Sequence, residues 1–399
     1  MDHPAGRAAR RGAPADAAPE RRRGAAVAVH GHARPGAALM RRGAALMREA
    51  LAREIEALID RLADGARDDA ARDALLSKVA AWQREHVAPV ARLAARREDP
   101  LGFPAVPTDV FRYVRVAAHP PAEDARVFRT SGTTSGQRGA SCLSTLSLYD
   151  RAAEAEARRA LFFDGPMRLV MLAPHPDEAP DSSLSYMLGR FEDWFADPSA
   201  ETGARWVFSE GRLDARALSE ALETDAPTAI LGTSFAFVHA EDALDARFAL
   251  PAGSFVMQTG GFKGRSREVA PDVLRAQIAA RYGVAEDRVV SEYGMTELSS
   301  QMYETALREA GSRDPRRYAV PGWLRVTAVD PETLAPLPDG APGLLRIDDL
   351  ANLDTSCGVQ TSDVATVHAQ GASLELHGRA PGATPRGCSL AVEEALDDR

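Results

Sequence analysis

The chain has 399 residues, of which 45% are hydrophobic and 26% are charged, and it carries a formal net charge of −9. This composition is typical of a globular protein with one large or two medium domains, and it lacks the basic character of a nucleic-acid-binding protein. No apolar run approaches the roughly 18 residues that a membrane-spanning helix needs.

Residues 1–46 differ in composition from the rest of the chain. The segment is rich in Ala, Arg, Gly and Pro and nearly free of bulky apolar residues, so we expect a disordered tail. Its prolines and glycines disfavour the amphipathic helix of a transit peptide. Because Met40 and Met47 lie close to the first helical pattern, we also expect the natural start to lie near them.

The chain contains three cysteines, Cys142, Cys357 and Cys388. They form neither a CxxC pair nor the even-numbered set of a disulfide framework. We therefore expect the reduced environment of the cytoplasm, and we interpret Cys142 and Cys357 as structural residues.

The first regular elements are predicted to be helices. From Met47 onward, apolar residues recur at helical spacing as far as Leu62, and Gly65 is placed to end the helix. A second helical stretch covers 70–85, and a third lies near 148–162.

Short apolar runs then alternate with helical patterns. Buried strands are predicted at 168–174, 228–234, 254–261 and 287–294, and helices at 213–223 and 267–283. Such alternation is typical of an α/β fold with a largely parallel sheet. Past residue 320, the pattern changes to four short strands separated by Pro, Gly and Asp turns. We therefore expect an α/β core over 47–319 and a β-rich subdomain over 320–399.

A stretch of small hydroxylated residues, FRTSGTTSGQRG at 128–139, precedes the third helix. It is not a Walker A sequence, because the glycine spacing differs and no lysine follows. Glycines and hydroxyl groups nevertheless suit an anion-binding loop, and Arg138 adds a fixed positive charge. Taken alone, the stretch is equally compatible with a polar linker.

Four further motifs carry candidate ligand-binding residues. SEYGMTE (291–297) follows a predicted strand and offers Glu297 as a carboxylate for a hard cation such as Mg²⁺. QTGGFKG (258–264) places a Gly-Gly turn at a strand end, where ligands bind in open α/β sheets. TSDVA offers Asp363 as an acceptor for ribose hydroxyls, and Arg379 supplies a cation after the last strand.

The order of these five motifs resembles that of the adenylate-forming superfamily of acyl-CoA ligases. The resemblance implies a layered αβα core, with ATP and Mg²⁺ as cofactors. It assigns the ATP phosphates to Thr130, Ser131, Gly132, Thr133, Thr134 and Thr296, the adenine to Gly260, Gly261, Tyr293 and Gly294, the ribose to Asp363 and Arg379, and the metal to Glu297.

The chain departs from that superfamily in two respects. Gln137 and Arg138 stand where the loop usually carries a lysine, and only 20 residues follow Arg379. We therefore expect the mobile small C-terminal domain to be absent. This shortened form resembles the LuxE family of acyl-protein synthetases. That resemblance implies an acyl-adenylate, transfer of the acyl group to Cys388, and a partner acyl reductase.

Lys263, His175 and Tyr186 are further candidates. Lys263 lies in the glycine-rich turn and could replace the missing catalytic lysine, or it could be an ordinary solvated lysine. His175 follows a predicted strand and could face the acyl pocket, although a loop histidine without a role is an equal alternative. Tyr186, in DSSLSYM, could line the substrate channel.

The predicted function is ATP-dependent activation of a carboxylic acid, with a fatty acid favoured, followed by transfer to Cys388 and then to an acyl reductase or carrier protein. One alternative is an acyl- or aryl-CoA ligase that uses CoA as the thiol. A second is a nucleotide- or acyl-binding module without turnover. The sequence leaves the oligomeric state open.

Overall fold

The computed structural model describes residues 35–96, 98–131, 137–199, 204–244, 246–260, 269–309 and 315–380, with side chains from residue 42 onward. The chain divides into two compact units, Met1–Leu46 and Met47–Arg399. Of the first unit, the structure describes only the beginning of the first helix. The sheet and the remaining helices belong to the second unit.

The helices are α1 (Pro35–Leu62), α2 (Asp69–His86), α3 (Ala88–Arg96), α4 (Val110–Tyr113), α5 (Ser147–Ala160), α6 (Ser183–Phe195), α7 (Ala215–Leu222), α8 (Ser234–Ala243) and α9 (Pro271–Tyr282). Helix α1 begins well before Met47, within the segment expected to be disordered, because Ala, Leu, Met and Arg are strong helix formers. Gly65, at φ 94°, follows its end. Asp68 then caps α2 by accepting a hydrogen bond from the Ala71 amide at 3.0 Å.

The strands are β1 (Val106–Pro107), β2 (Arg126–Arg129), β3 (Ala140–Leu143), β4 (Arg168–Leu172), β5 (Ala204–Trp206), β6 (Phe208–Ser209), β7 (Arg212–Leu213), β8 (Thr228–Thr233), β9 (Phe255–Thr259), β10 (Val289–Tyr293), β11 (Met302–Glu304), β12 (Tyr318–Ala319), β13 (Leu324–Val329), β14 (Pro342–Asp349), β15 (Gly358–His368) and β16 (Ser373–Arg379). The four predicted buried strands are confirmed as β4, β8, β9 and β10.

One large sheet contains most of these strands, in the order β13-β14-β15-β16-β12-β11-β10-β9-β8-β4-β5, with β1 paired to β15. Strands β5, β4, β8, β9 and β10 are parallel, and the remainder of that order is antiparallel. The four late strands therefore continue the main sheet, because β16 pairs with β12.

Helices cover both faces of the parallel half. Along β8, Ala229 and Leu231 pack in one apolar cluster with α5 and α6, whereas Ile230 packs in another with α8 and α9. Because both faces of the strand are covered, its sequence is a continuous apolar run. Each fully buried Leu or Ile side chain stabilises the fold by roughly 1.5–3 kcal/mol. The layered α/β fold is therefore confirmed.

Strands β2 and β3 form a separate antiparallel hairpin. Its connection is the hydroxyl-rich segment, of which the structure describes both ends but not residues 132–136. Within the described parts of the chain, no helix is long and apolar enough to cross a membrane.

Candidate active site

Three predicted ribose and adenine residues meet at the end of β10. The Tyr293 hydroxyl donates a hydrogen bond to Asp363 Oδ2 at 2.8 Å, and Arg379 Nε lies 3.6 Å from Asp363 Oδ1. Asp363 lies within β15, opposite Arg379 on β16. Burial, together with the Asp363 carboxylate, raises the pKa of the Tyr293 hydroxyl well above its ordinary value. The hydroxyl therefore stays protonated and donates to Asp363.

A carboxyl that the motif analysis missed lies beneath this corner. Glu292 is buried on β10, and it accepts a hydrogen bond from the hydroxyl of Thr259 on β9. A Cβ atom added to Gly294 would overlap Glu292 Oε1, so only glycine fits there without a shift. Burial raises the pKa of Glu292 to about 7. The available signal was a glutamate inside an otherwise apolar strand.

Gly260, at the end of β9, adopts a φ of 73°, which favours glycine. Its carbonyl oxygen accepts a hydrogen bond from Ser234 Oγ at 2.8 Å. The N-terminus of α8 is thereby tied to the predicted adenine-binding turn.

The predicted metal ligand lies against the base of the hydroxyl-rich loop. A Cβ atom placed on Gly139 would be 3.5 Å from both Glu297 Oε1 and Thr130 Oγ1. Glu297 is buried and Thr130 is half-buried. The structure therefore brings SEYGMTE, with its half-buried Thr296, to the loop across a long stretch of sequence.

Two buried residues on or after β14 hold the SEYGMTE segment in place, and sequence analysis missed both. Asp349 accepts hydrogen bonds from the amides of Ser299 and Ser300 at 3.1 and 3.0 Å. Burial raises the pKa of Asp349 to about 6, although these hydrogen bonds oppose the shift. Asn352 Nδ2 donates to the Glu297 carbonyl oxygen at 2.8 Å. Glu297 is thus positioned from its backbone.

Arg138 closes the base of the loop. Its guanidinium donates to the carbonyl oxygens of Thr130 at 2.5 Å and Arg129 at 3.1 Å, and it pairs with Asp181 at 2.5 Å. The loop ends are also joined directly, since the Thr130 amide donates to the Gly139 carbonyl oxygen at 2.9 Å. Arg138 therefore holds the two ends of the loop together, and its predicted contribution to anion binding stays a prediction.

The remaining residues predicted to bind ATP or to act in catalysis fall into two groups. Ser131 is exposed at the start of the loop. Six others lie outside the described residues: Gly132, Thr133, Thr134, Gly261, Lys263 and Cys388.

His175 and Tyr186 lie in different surroundings. The Tyr186 hydroxyl bonds to Asp150 Oδ1 at 2.8 Å, and its ring lies 5.4 Å from that of Phe128, in the strand that leads to the loop. His175 is half-exposed and lies edge-on to Trp206 at 5.0 Å. Their roles in substrate binding stay predictions.

The site's oxygen ligands fit a magnesium ion. No cluster of three or more His, Cys, Asp or Glu residues occurs in the described part of the chain. Mg²⁺ typically binds through one or two carboxylates together with substrate phosphates. The Glu297 carboxylate beside the Thr130 hydroxyl supplies this type of donor.

Comparison with known proteins identifies the family and the fold. A family model described as acyl-protein synthetase, LuxE, matches residues 99–397. A curated relative, the long-chain-fatty-acid–luciferin-component ligase of Vibrio harveyi, is 26% identical over 115 residues, which are 28% of this chain and 28% of that protein.

Two solved structures of 2-hydroxyisobutyryl-CoA ligase share the fold. One is the open conformation with 2-HIB-AMP and CoA, and the other is the postadenylation state with 2-HIB-AMP. Each aligns with a TM-score of 0.57 and 17% identity over 78% of this chain, and over 69% and 67% of their own chains. This similarity confirms the predicted fold of adenylate-forming ligases.

Proposed function

Because the chain belongs to the LuxE family of acyl-protein synthetases, we propose that it is an AMP-forming acid–thiol ligase that activates a fatty acid with ATP. The observation that carries the proposal is the convergence of two groups. Tyr293, Asp363 and Arg379 form one corner, and Glu297 lies beside the base of the hydroxyl-rich loop.

In the first step, the acid's carboxylate oxygen attacks the α-phosphorus of ATP. The bond to the β-phosphate breaks, and pyrophosphate leaves. Asp363 accepts hydrogen bonds from the ribose hydroxyls, while Gly260 and Gly294 border the adenine. The loop amides and hydroxyls hold the phosphates. Glu297 would hold Mg²⁺, which would supply charge neutralisation, so the chain's own contribution is chiefly positioning.

In the second step, the thiolate of Cys388 attacks the acyl carbonyl carbon. A C–S bond forms, the C–O bond to the phosphate breaks, AMP leaves, and the thiol proton passes to solvent. Cysteine is suited to this step because its thiolate is strongly nucleophilic. Arg386, two residues away, favours the thiolate.

The fatty-acid substrate is supported by the name of the Vibrio harveyi relative. The thioester then passes to a partner acyl reductase or carrier protein. We place the reaction in the cytoplasm, where the thiol remains reduced. The described cysteines, Cys142 and Cys357, are free and buried, which supports Cys388 over either of them as the acceptor.

The test combines pyrophosphate release with intact-mass analysis on the full chain. ATP–Mg²⁺ is supplied with fatty, aryl and short acids, and the wild type is compared with Cys388→Ala and with the neighbouring control Ser389→Ala. We expect acid-dependent release in all three proteins, and an acyl mass increment in the wild type and Ser389→Ala only.

Two results would contradict the proposal. Pyrophosphate release without any acyl increment, together with thioester formation on added CoA, would make the protein a CoA ligase. Absence of release with every acid, despite calorimetric binding of ATP, would make it a binding module.

A further inference from the structure

A groove of about 590 Å³ lies between the β2–β3 hairpin and the segment around α4. This volume is within the range of ligand-binding clefts. Of the residues assigned above to ATP and the acid, only Arg138 lines it. The groove therefore adjoins the hydroxyl-rich loop, but the two proposed reaction steps do not use it.

The groove is lined by guanidinium groups in a protein of net charge −9. They belong to Arg112, Arg115, Arg129 and Arg138, and Asp124 is the one carboxylate among the described lining residues. Arg115 is held by Asp124 and by the His119 carbonyl oxygen at 3.1 Å. Arg112 pairs with Asp109 at 3.5 Å and Arg138 with Asp181 at 2.5 Å. Arg129 is exposed and forms no salt bridge to any described residue. The groove thus presents preorganised donors to an anionic ligand.

The inner wall of the groove is apolar. Phe111 and Cys142 are buried in it, and Val127 is half-buried. The Tyr113 side chain stands at the groove and is 55% exposed, which is unusual for a large aromatic residue in this protein. A fitting ligand therefore carries several negative charges and a few apolar side chains.

Residues 389–399 of this chain have that composition. The sequence SLAVEEALDDR contains four acidic residues and one arginine, with Leu390, Val392 and Leu396 interspersed. We propose that this segment binds in the arginine-lined groove and thereby presents Cys388 to the acyl-adenylate. The inference rests on the proposed function, because it assigns a place to the thiol that receives the acyl group.

The chain is long enough to reach the groove. Ala380 is fixed beside Asp363, since its amide donates to the Ser362 carbonyl oxygen at 2.9 Å. Asp363 contacts Tyr293. Glu297 lies four residues after Tyr293 in the sequence, and its carboxylate is next to Gly139 at the base of the loop. This short series of contacts connects Ala380 to the loop base, and the 13 extended residues from Ala380 to Glu393 reach about 43 Å.

The test reverses charges on both sides. In the full chain, Arg112→Glu with Arg129→Glu is compared with wild type and with Arg216→Glu, an exposed control on α7. With fatty acid and ATP at low salt, we expect acylation of Cys388 to slow about tenfold in the groove variant. Pyrophosphate release in the first turnover should be unchanged. Adding Glu393→Arg and Glu394→Arg should restore acylation, which loss of folding would not permit.

A second measurement needs no catalysis. A bimane label on Cys388 is quenched on contact with tryptophan, so Tyr113→Trp should quench it in the wild-type background and not with the groove charges reversed. Unchanged acylation together with absent quenching would overturn the docking while leaving the ligase intact. Quenching without pyrophosphate release would retain the docking and overturn the ligase. Quenching that added CoA or an acidic peptide abolishes at micromolar concentration would assign the groove to that external ligand instead.

Discussion

The buried carboxyl of Glu292 makes the stability of this fold depend on pH in a predictable direction. Burial raises its pKa from the ordinary 4.5 to about 7, and the hydrogen bond from Thr259 offsets only part of the shift. Between those two values, the unfolded chain releases the proton while the native protein retains it. Native stability therefore falls as the pH rises through this window. Glu292→Gln keeps the size of the side chain and an acceptor for Thr259 but removes the titration.

The magnitude follows from the shift of the pKa. One pKa unit corresponds to about 1.4 kcal/mol, so the full penalty above pH 7 is roughly 3 kcal/mol. At pH 5 only about a quarter of this penalty has accumulated, because the pH is just above the unfolded pKa of 4.5, and at pH 8 nearly all of it is present. Relative to wild type, the Gln variant should gain about 2–3 kcal/mol of unfolding free energy between pH 5 and pH 8.

The assay is urea unfolding of both proteins at pH 5 and pH 8, at equal ionic strength. Other titrating groups are common to both proteins and cancel in the comparison. Glu332→Gln, at an exposed position after β13, controls for the loss of one surface carboxylate. If the difference between wild type and Glu292→Gln is the same at both pH values, the carboxyl is not buried beneath Gly294 as described.

Three further changes test the site. Asp363→Ala removes the acceptor at the Tyr293 corner and should lower kcat/KM for ATP by about 10- to 100-fold, measured by pyrophosphate release; an unchanged value would remove the ribose role. Gly294→Ala forces a Cβ atom against the buried carboxyl of Glu292 and should lower the free energy of unfolding by about 1–3 kcal/mol in urea. An unchanged free energy of unfolding would contradict this close contact. Asp181→Asn frees Arg138 and should raise KM for ATP several-fold while changing stability by under about 1 kcal/mol, because that pair is over a third exposed; equal KM values would contradict the positioning role.

The sequence predicts the parallel half of the sheet closely, because each of its central strands is a continuous apolar run. It does not predict how the late strands join that sheet. The connecting strands β11 and β12 have three and two residues, too few to show an alternating pattern. Helix α1 begins at Pro35, earlier than the predicted start at Met47, because Ala, Leu, Met and Arg in that stretch favour a helix.

For the site, local motifs predict which segments matter but not what supports them. Asp349 contacts Ser299 from 50 residues away, and Asp181 contacts Arg138 from 43 residues away. Neither carboxylate stands in a recognisable motif, so only the fold identifies them. Glu292 stands inside an otherwise apolar strand, and only the fold shows that it is buried against Thr259 and Gly294.

Strand β10 explains why these motifs meet at one place. It pairs in parallel with β9 and antiparallel with β11, so it lies where the sheet changes from parallel to antiparallel pairing. Parallel strands deliver their carboxyl ends, Thr259 and Tyr293, to the same edge. The antiparallel half returns there through β15 and β16, which carry Asp363 and Arg379. In the proposed reaction, the parallel half therefore contacts the adenine and the antiparallel half the ribose. Binding of the nucleoside then bridges both halves of the sheet, so loss of either contact should weaken ATP binding without separating the strands.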